Sequence, residues 1–363
     1  MVTHLSLEQN SPGSSPGRAV FALVCERLEF FYLIRKFEKV LIWEKFRKNI
    51  IDNKLVVSGD KILLAVSGGA DSMVMASLFS MLTKILNIDL IVVNFNHNLR
   101  KESVKEAKIV EKYISSLNIE CVLKKLNTKE YAKKNNISVE TAGRQLRYLG
   151  LEEVAKKYKC NKIATAHNMN DNAETVIMWL LRGTGSEGLT GIPMIRKINK
   201  NLSVIRPLLP ISRDLIDDYA KKKQIVFCTD KTNFKCDYTR NKIRLNLIPQ
   251  LKQINPSVVE HIYNLSCIVK EETNYFKNKV NSFISKYVEI SKNRIVINLK
   301  AFYKQDNIFQ YKILKEILPD KKRAVQINNI FSWLGDKKSK KYILSKAWTA
   351  KKYKQKLYFI FTK

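Results

Sequence analysis

The chain has 363 residues, of which 45% are hydrophobic, so it can bury the cores of two or three domains. Its 65 Lys and Arg residues outnumber the 33 Asp and Glu residues, and the formal net charge of +32 favours a polyanionic partner such as RNA or a membrane surface. The six cysteines include no C-x-x-C pair, and no apolar run is long enough to span a membrane. These features argue against a disulfide-rich secreted protein, a zinc knuckle and a membrane protein, and they favour the cytoplasm.

Residues 1–36 form a first segment that carries Ser-Pro-Gly-Ser-Ser-Pro-Gly at positions 11–17. Because repeated Pro and Gly disfavour both helix and strand, this segment is predicted to be a disordered leader or an upstream extension of the gene model. A helical pattern of apolar residues follows from about residue 37. We therefore place the start of the first domain there.

From residue 61 onward, short apolar strands alternate with helical patterns of ten or more residues. Strands are predicted at 61–66, 89–95, 120–126 and 162–166, and helices at 71–86, 102–117, 138–159 and 170–182. A strand and a helix follow within 202–223. This alternation predicts an α/β domain over 37–245, with a parallel sheet covered by helices on both faces. Ligands of such domains bind at the carboxyl ends of the strands.

From about residue 246 the pattern becomes mostly helical, which predicts a second, smaller domain over 246–363. Helices are expected at 258–287 and 307–318, with short strands at 293–299, 341–345 and 356–361. The chain from Arg240 to its end carries 27 Lys and Arg residues against 8 Asp and Glu residues. We therefore expect this basic domain to bind RNA. The alternative is a lysine-rich surface that reflects composition alone.

The first predicted strand is followed by Ser67-Gly-Gly-Ala-Asp71-Ser72 and then by a helical pattern. A Gly-rich turn between a strand and a helix presents the unpaired N–H groups of the helix start, which favours a bound phosphate. Serine hydroxyls can donate to phosphate, whereas Asp71 suits Mg²⁺ or a substrate amine. The turn lacks the Gly-Lys-Ser/Thr of a Walker loop and the third Gly of a dinucleotide motif. The alternative is a strand-to-helix turn with an Asp cap.

A second motif, His167-Asn-Met-Asn-Asp171-Asn-Ala-Glu174-Thr175, follows the strand predicted at 162–166. Asp171 and Glu174 are three residues apart, so both carboxylates lie on one face of the first helical turn. Together with the His167 imidazole they can hold Mg²⁺ or recognise the cationic ends of an amino acid. Acidic residues that complement a helix dipole are the alternative for the two carboxylates.

Two arginine pairs are spaced by about one helical turn. Arg144 and Arg147 follow Glu140, so a surface ion pair is the alternative to a substrate contact for Arg144. Arg240 and Arg244 lie in the stretch between the two predicted domains, where forked guanidinium groups suit phosphate. A structural clamp between the domains is the alternative for this second pair.

The Gly-rich turn resembles the PP-loop of ATP pyrophosphatases, which split ATP into AMP and pyrophosphate. Several further segments are similar, in the same order, to those of bacterial tRNA(Ile)-lysidine synthetases. These segments are 94–100, 140–148, 167–175, 182–193, 206–209, 230–233 and 238–244, with Pro249 and Asn255-Pro256 after them. One departure is Asn98, which stands where the family usually has Gly. The resemblance is strong over about 38–256 and weak in the remainder.

The resemblance implies a two-step reaction at the wobble cytidine of an isoleucine tRNA with a CAU anticodon. ATP adenylates oxygen 2 of the base, and the ε-amine of free L-lysine then attacks carbon 2 and releases AMP. The product lysidine changes codon reading from AUG to AUA. The cofactors implied are ATP and Mg²⁺. The resemblance also leaves a homodimer open, and it implies no membrane partner.

The resemblance further implies roles for the motif residues. The predicted ATP-binding residues are Ser67, Gly68, Gly69, Ala70, Asp71, Ser72, Asn94, His97 and His167, with Asp71 also contacting Mg²⁺. The predicted catalytic residues are Asp71, Arg147, Asp171 and Glu174, of which Asp171 and Glu174 bind the amino groups of lysine. The predicted tRNA contacts are Arg144, Arg240 and Arg244.

Two other functions are compatible with parts of the sequence. A tRNA thiolase of the same fold would introduce sulfur to make 2-thiocytidine or 2-thiouridine, but enzymes of that type normally carry paired cysteines. A non-catalytic RNA-binding protein could keep a relic nucleotide site. The intact residues Ser67, Asp71, His167, Asp171 and Glu174 argue against such a relic.

Overall fold

A computed structural model describes residues 41–96, 103–228, 239–318, 324–336, 338–345 and 347–361. The predicted leader 1–36, His97 and the motif residues 230–233 and Tyr238 lie outside the described residues. The chain divides into two compact units. Unit 1 comprises the residues up to Gly183 together with Gly191–Asn264, and unit 2 comprises Thr184–Thr190 together with Leu265–Lys363. Residues 246–264, which the sequence pattern groups with the basic domain, thus belong to unit 1.

The regular elements of unit 1 alternate between strands and helices. Its strands are β1 Lys61–Ala65, β2 Asp89–Asn96, β3 Glu120–Lys125, β4 Lys162–Ala164, β5 Ile195–Lys197 and β6 Ser203–Ile205. Its helices include α1 at 41–52, α2 Ala70–Leu82, α3 Ser103–Ser116, α4 Thr128–Asn135, α5 Val139–Lys157, α6 Met169–Leu181, α8 Arg213–Lys222, α9 Thr239–Lys242 and α10 Ile248–Ile254. Residues Ile243–Leu247 between α9 and α10 form a π-helical turn.

The six strands form one sheet in the order β3-β2-β1-β4-β6-β5. All neighbouring strands are parallel except β5, which pairs antiparallel with β6 at the edge. The predicted α/β fold with a parallel sheet is confirmed, and the antiparallel edge strand β5 is the one departure among the strands described for unit 1. The strand order changes direction between β1 and β4, and the crevice outside the carboxyl ends of two such strands is where ligands of open α/β sheets bind.

Alternate residues of the central strands enter two different hydrophobic clusters. Ile62 and Leu64 of β1 pack with residues of α1, α2, α3 and α8, whereas Leu63 packs with residues of α5. Because successive side chains of a strand point to opposite faces, the sheet is covered on both sides. A strand that is buried on both faces is a continuous run of apolar residues, and such runs make these strands predictable from the sequence.

Unit 2 contains helices and an antiparallel sheet around its own core. Its helices are α7 Ser186–Leu189, α12 Leu299–Tyr303, α13 Asn307–Ile317 and α14 Ala324–Gly335, and α11 Val258–Tyr287 supplies residues to both units. Its strands are β7 Val288–Ser291, β8 Arg294–Asn298, β9 Lys341–Ile343, β10 Trp348–Tyr353 and β11 Lys356–Phe361, in the order β7-β8-β11-β10-β9. The sequence pattern predicts β8, β9 and β11 but not β7 or β10. The core includes Ile297, Phe302 and Phe359, all fully buried.

No helix in the described part of the chain combines the length and the apolarity needed to cross a membrane.

Candidate active site

The Gly-rich turn joins β1 to α2 with a backbone that requires glycine at one position. Gly68 has a φ of +91°, and a Cβ built there would lie 3.1 Å from Cγ2 of Val110. Both the left-handed backbone and the close approach of α3 exclude a larger residue. The turn ends at Gly69, the residue that precedes α2. The first N–H groups of α2 have no partner within the helix, so the turn has the backbone of a phosphate-binding site.

Hydrogen bonds within the turn hold its two serine side chains. The hydroxyl of Ser72 donates to the carbonyl of Gly69 at 2.9 Å and accepts from the N–H of Ser67 at 3.1 Å. The Oγ atoms of Ser67 and Ser72 lie 3.3 Å apart. Asn94 of β2 donates from Nδ2 to the carbonyl of Val66 at 2.8 Å and is buried. In this structure Asn94 therefore fixes the end of β1.

Asp71, in the first turn of α2, connects three elements of unit 1. Its Oδ1 accepts a hydrogen bond of 2.8 Å from Nδ2 of Asn168, which precedes α6. Its Oδ2 accepts from the guanidinium of Arg213, the first residue of α8, and Arg213 also donates to Asp217. Burial raises the pKa of Asp71 to about 6, although the charge of Arg213 opposes this shift. The sequence motifs gave no indication of the Arg213 contact, since 142 residues separate the partners.

The segment after β4 begins α6 with a reciprocal cap. The N–H of Asp171 donates to Oδ1 of Asn168, and the N–H of Asn168 donates to Oδ2 of Asp171, each at 3.1 Å. This capping box is the local reason for the helix start, so the capping explanation for Asp171 holds in part. His167 lies beside Thr165, with 3.0 Å between Nδ1 and Oγ1. Burial and the neighbouring arginines lower the pKa of His167 to about 3, so its imidazole is neutral at pH 7.

Asp171 and Glu174 are bound by both members of the Arg240 and Arg244 pair. Oε2 of Glu174 accepts from Nε of Arg240 at 2.7 Å, and Oε1 accepts from Nε of Arg244 at 2.6 Å. Oδ1 of Asp171 accepts from the NH2 groups of Arg240 and Arg244 at 2.9 and 3.0 Å. The Glu174 side chain is only 1% exposed, whereas that of Asp171 is 17% exposed. Burial lowers the pKa of Arg244, but its hydrogen bond and ion pair with Glu174 outweigh this effect and raise it.

Apolar packing holds these charged groups in place. Met169, Ala173 and Ile177 of α6 form one buried cluster with Ile243 of the π turn and Ile248 of α10. The cluster brings the α9–π segment against the carboxylate face of α6. The structure thus joins the two residues predicted to bind lysine to two of the residues predicted to bind tRNA, all within unit 1. Sequence spacing could not reveal this pairing, because about 70 residues separate the partners.

Arg144 and Arg147 are not part of this ion-pair network. Both are exposed on α5, and the guanidinium carbon of Arg144 lies 5.6 Å from the ring centre of Tyr148. Two residues without a predicted role, Arg196 and Arg206, also contact Tyr148. The sequence did contain one indication that Arg206 has a functional role, because this residue begins the family-like segment 206–209.

A metal ion at this site would rely on few protein ligands. In the described ranges, no three His, Cys, Asp or Glu side chains are grouped so as to hold a metal ion. Asp71 is the carboxylate in the first turn of α2, and its oxygens accept hydrogen bonds from Asn168 and Arg213. Mg²⁺ is often bound through one or two carboxylates together with water and substrate phosphates. The residues present fit Mg²⁺ that is coordinated mainly by a nucleotide.

Comparisons with known proteins agree with this architecture. A family model described as PP-loop domain matches residues 42–251. The chain is 42% identical over 238 residues to the tRNA(Ile)-lysidine synthase of Thermosipho africanus, covering 64% of this chain and 55% of that protein. It is 36% identical over 281 residues to that of Clostridioides difficile, covering 76% and 59%. It is 36% identical over 284 residues to that of Petrotoga mobilis, covering 78% and 86%. The chain thus spans little more than half the length of the first two relatives.

Among solved structures, the U34-tRNA thiolase NcsA from Methanococcus maripaludis with its 4Fe-4S cluster has a TM-score of 0.56 to this chain. The sequence identity is 22%, and the alignment covers 65% of this chain and 80% of the thiolase. At this level of identity the similarity establishes the fold alone.

Proposed function

This chain belongs to the PP-loop family and, within it, to the tRNA(Ile)-lysidine synthases, and from that premise we propose that it makes lysidine. In the proposed reaction ATP adenylates oxygen 2 of the wobble cytidine in an isoleucine tRNA with a CAU anticodon, and pyrophosphate leaves. The ε-amine of free L-lysine then attacks carbon 2, loses a proton and displaces AMP. The enzyme is an ATP-dependent ligase that forms a C–N bond and acts in the cytoplasm.

One observation carries this proposal. The hydrogen bond between Asn168 and Asp71 joins the phosphate-binding turn after β1 to the segment 167–175 after β4, which we call the carboxylate motif. These two strands are the neighbours at which the strand order changes direction. A nucleotide and an amino acid bound to the two motifs would therefore meet in one crevice, as ligation requires.

The phosphate-binding turn supplies the contacts for ATP. The N–H groups around Gly68 and Gly69, with the hydroxyls of Ser67 and Ser72, would donate to the phosphates. Asp71 would contact a Mg²⁺ ion brought with the nucleotide, and this ion would neutralise charge as pyrophosphate leaves. Ala70 would add an N–H group at the helix start. The neutral imidazole of His167 can accept or donate one hydrogen bond to the nucleotide.

The carboxylate motif supplies the contacts for lysine. Asp171 and Glu174 already bind two cationic side chains, so the site has the chemistry to hold an ammonium group. Asp171 is the more exposed of the two carboxylates, and we expect the amino group of lysine to reach it first. An arginine displaced by lysine would be free to bind phosphate, which gives Arg240 and Arg244 their contact with tRNA or adenylate. Arg147 would contact the reacting substrate in the same crevice.

The cysteines give little support to the thiolase alternative. Cys121 is partly buried and Cys160 is buried, and burial raises the pKa of each thiol to about 11. Thiols with such a pKa are almost entirely protonated at pH 7 and are poor nucleophiles. Sulfur transfer needs a reactive thiolate or a cluster, and these two cysteines supply neither.

The direct test is incubation of the purified chain with ATP, labelled lysine and a panel of tRNA transcripts, followed by nucleoside analysis. We expect label in a modified cytidine only when ATP and the transcript with a CAU anticodon are both present. A transcript with the anticodon changed to GAU is the matched control. Binding of tRNA without any ATP-dependent product would replace the proposal by the non-catalytic alternative. Formation of a thiolated base, but no lysidine, in a parallel incubation with sulfide added as the sulfur donor would replace it by the thiolase alternative.

A further inference from the structure

Seven arginines of unit 1 form two groups that differ in their partners. Arg213, Arg240 and Arg244 each form ion pairs with Asp or Glu side chains. A second group surrounds Tyr148 and consists of Arg144, Arg147, Arg196 and Arg206. No ion pair between this second group and a carboxylate is found among the described side chains. Concentrated positive charge without a counter-charge among the described side chains favours an external anion.

Tyr148 is the centre of the second group, which we name the Tyr148 cluster. The ring packs against the hydrophobic cluster beneath the sheet, which includes Leu151 of the same helix. The guanidinium of Arg196 lies over this ring at 4.6 Å, and that of Arg144 at 5.6 Å. Such cation–π contacts hold a guanidinium in place while its N–H groups can still donate. Arg196 and Arg144 are both exposed, so a ligand can reach them.

Arg206 forms the buried base of the Tyr148 cluster. It is 4% exposed, hydrogen-bonds Tyr148, and donates from NH1 to the carbonyl of Pro193. Its buried Nε has no hydrogen-bond partner in the described structure. Burial lowers the pKa of Arg206, and the charges of Arg196 and Arg144 lower it further, whereas Tyr148 raises it. A buried guanidinium without a carboxylate partner is costly. An anion bound nearby would offset that cost.

The hairpin of β5 and β6 presents further positive charge next to Arg196. Lys197 on β5 and Lys200 in the connecting turn are both exposed. The hairpin is fixed to α6, because the N–H of Ile192 donates to Oδ1 of Asn172 at 2.7 Å. Gly191 has a φ of +64°, and a Cβ there would lie 2.1 Å from that same oxygen. The cations of the hairpin thus lie on a rigid support rather than on a free loop.

We infer that the Tyr148 cluster and the exposed cations of the β5–β6 hairpin bind the sugar-phosphate backbone of an RNA substrate. The position of β5 favours RNA over a free nucleotide. Three strand spacings separate β5 from β1, or about 14 Å, which is longer than a triphosphate held at the turn after β1. A row of exposed cations along a strand and turn matches a chain of phosphates. This inference rests on the proposed function only in taking RNA as the macromolecular substrate.

The test compares two charge reversals, Arg196→Glu and Lys48→Glu. Lys48 is an exposed cation of α1 and serves as the matched control. Binding of the tRNA transcript is measured without ATP or lysine over a range of salt concentrations, and ATP binding is measured separately. We expect Arg196→Glu to weaken tRNA binding about tenfold at low salt. The slope of log affinity against log salt should fall by about one, with ATP binding unchanged. Lys48→Glu should alter neither quantity.

A second variant guards against misfolding. Arg196→Lys keeps the charge and should retain most of the slope, and the melting temperatures of all variants are compared. Equal tRNA binding by Arg196→Glu and Lys48→Glu overturns the inference, and so does a loss of ATP binding without a loss of tRNA binding. These outcomes do not depend on product formation. If the wild-type chain makes lysidine while Arg196→Glu binds tRNA normally, this inference fails and the proposed function stands.

Discussion

Nε of Arg244 lies 2.6 Å from Oε1 of Glu174, a side chain with 1% exposure that also binds Arg240. A carboxylate this deeply buried depends on its arginine partners, and the arginines depend on it. Removal of one member of a buried ion pair leaves the others without a counter-charge, which is strongly destabilising. Glu174 is therefore expected to support both the local structure and the binding of lysine.

Glu174→Gln should separate these two contributions. The amide keeps the shape but loses the charge that pairs with an ammonium, so adenylated tRNA should still form while the response to lysine weakens. Because the arginines are partly exposed, we expect a stability loss of only about 2 kcal/mol. Adenylate formation, lysine-dependent nucleoside formation and urea unfolding measure the three effects. Wild-type lysine dependence in a folded variant would exclude Glu174 from lysine binding.

Asp71→Asn should abolish adenylation and leave tRNA binding nearly intact, because one charge is lost at the phosphate and metal site but few RNA contacts change. Asp217→Asn is the matched control, since Asp217 binds the same Arg213 but lies outside the phosphate-binding turn. ATP–pyrophosphate exchange and tRNA binding are measured for both variants. Normal exchange by Asp71→Asn would remove Asp71 from the mechanism.

His167 should make the folded state sensitive to acid. Its folded pKa of about 3 lies below the unfolded value, so the unfolded state binds more protons between about pH 3 and pH 6.5. Stability from this group is complete above pH 6.5, and it should fall by about 2 kcal/mol by pH 5. Asp71, with a raised pKa, acts in the opposite sense, so the test is a difference between variants.

The His167→Gln variant should lose less stability between pH 7 and pH 5 than the wild type. His261→Gln removes an exposed histidine and should behave as the wild type does. Chemical unfolding at the two pH values provides the measurement. An identical pH dependence in all three proteins would show that His167 is not held neutral by the fold.

Shortened chains should separate nucleotide binding from RNA binding. A chain that ends after Pro256 or after Asn264 loses about half of the net positive charge, so tRNA binding should weaken and its salt slope should become shallower. The shorter chain also loses Val259, which is buried against α6, and should therefore melt at a lower temperature than the longer one. A salt slope equal to that of the full chain would contradict an RNA role for the basic C-terminal region.

Replacement of all six cysteines by serine should leave the modification chemistry active, apart from any folding defect at buried positions such as Cys160. Lysine-dependent nucleoside formation by the folded variant is the measurement, and a melting curve establishes folding. A folded variant without activity would favour sulfur chemistry instead.

The sequence predicts the parallel sheet of unit 1 well, because its buried strands are continuous apolar runs with helices between them. It does not predict β5, whose three residues are all exposed and which lies at the edge of the sheet beside β6. β10 is also missed, since its Lys351 and Lys352 interrupt the apolar pattern and its pairing with β11 is set by tertiary packing. Helix Ala324–Gly335 is also not predicted, because it lies in a stretch to which the sequence pattern assigned no element.

The candidate site was predicted as a set of residues but not as a set of contacts. The motifs with Asp71, Asp171 and Glu174 each follow a strand of the parallel sheet, so the sequence places all three residues at the same edge of that sheet. The contact between Arg213 and Asp71, and the pairing of Arg240 with Glu174, join residues 142 and 66 positions apart. Such partners are chosen by side-chain geometry across helices, and a single sequence does not record that geometry.

The π turn at Ile243–Leu247 sets the rotational phase of the helix around it. It adds one residue to a helical turn, so Arg240 before it and Ile248 after it face α6 together. Loss of a single residue here would restore an α-helical turn and rotate one side of the segment by about 100° relative to the other. The segment should thus not tolerate a change of length, and a one-residue deletion should separate arginine binding from apolar packing.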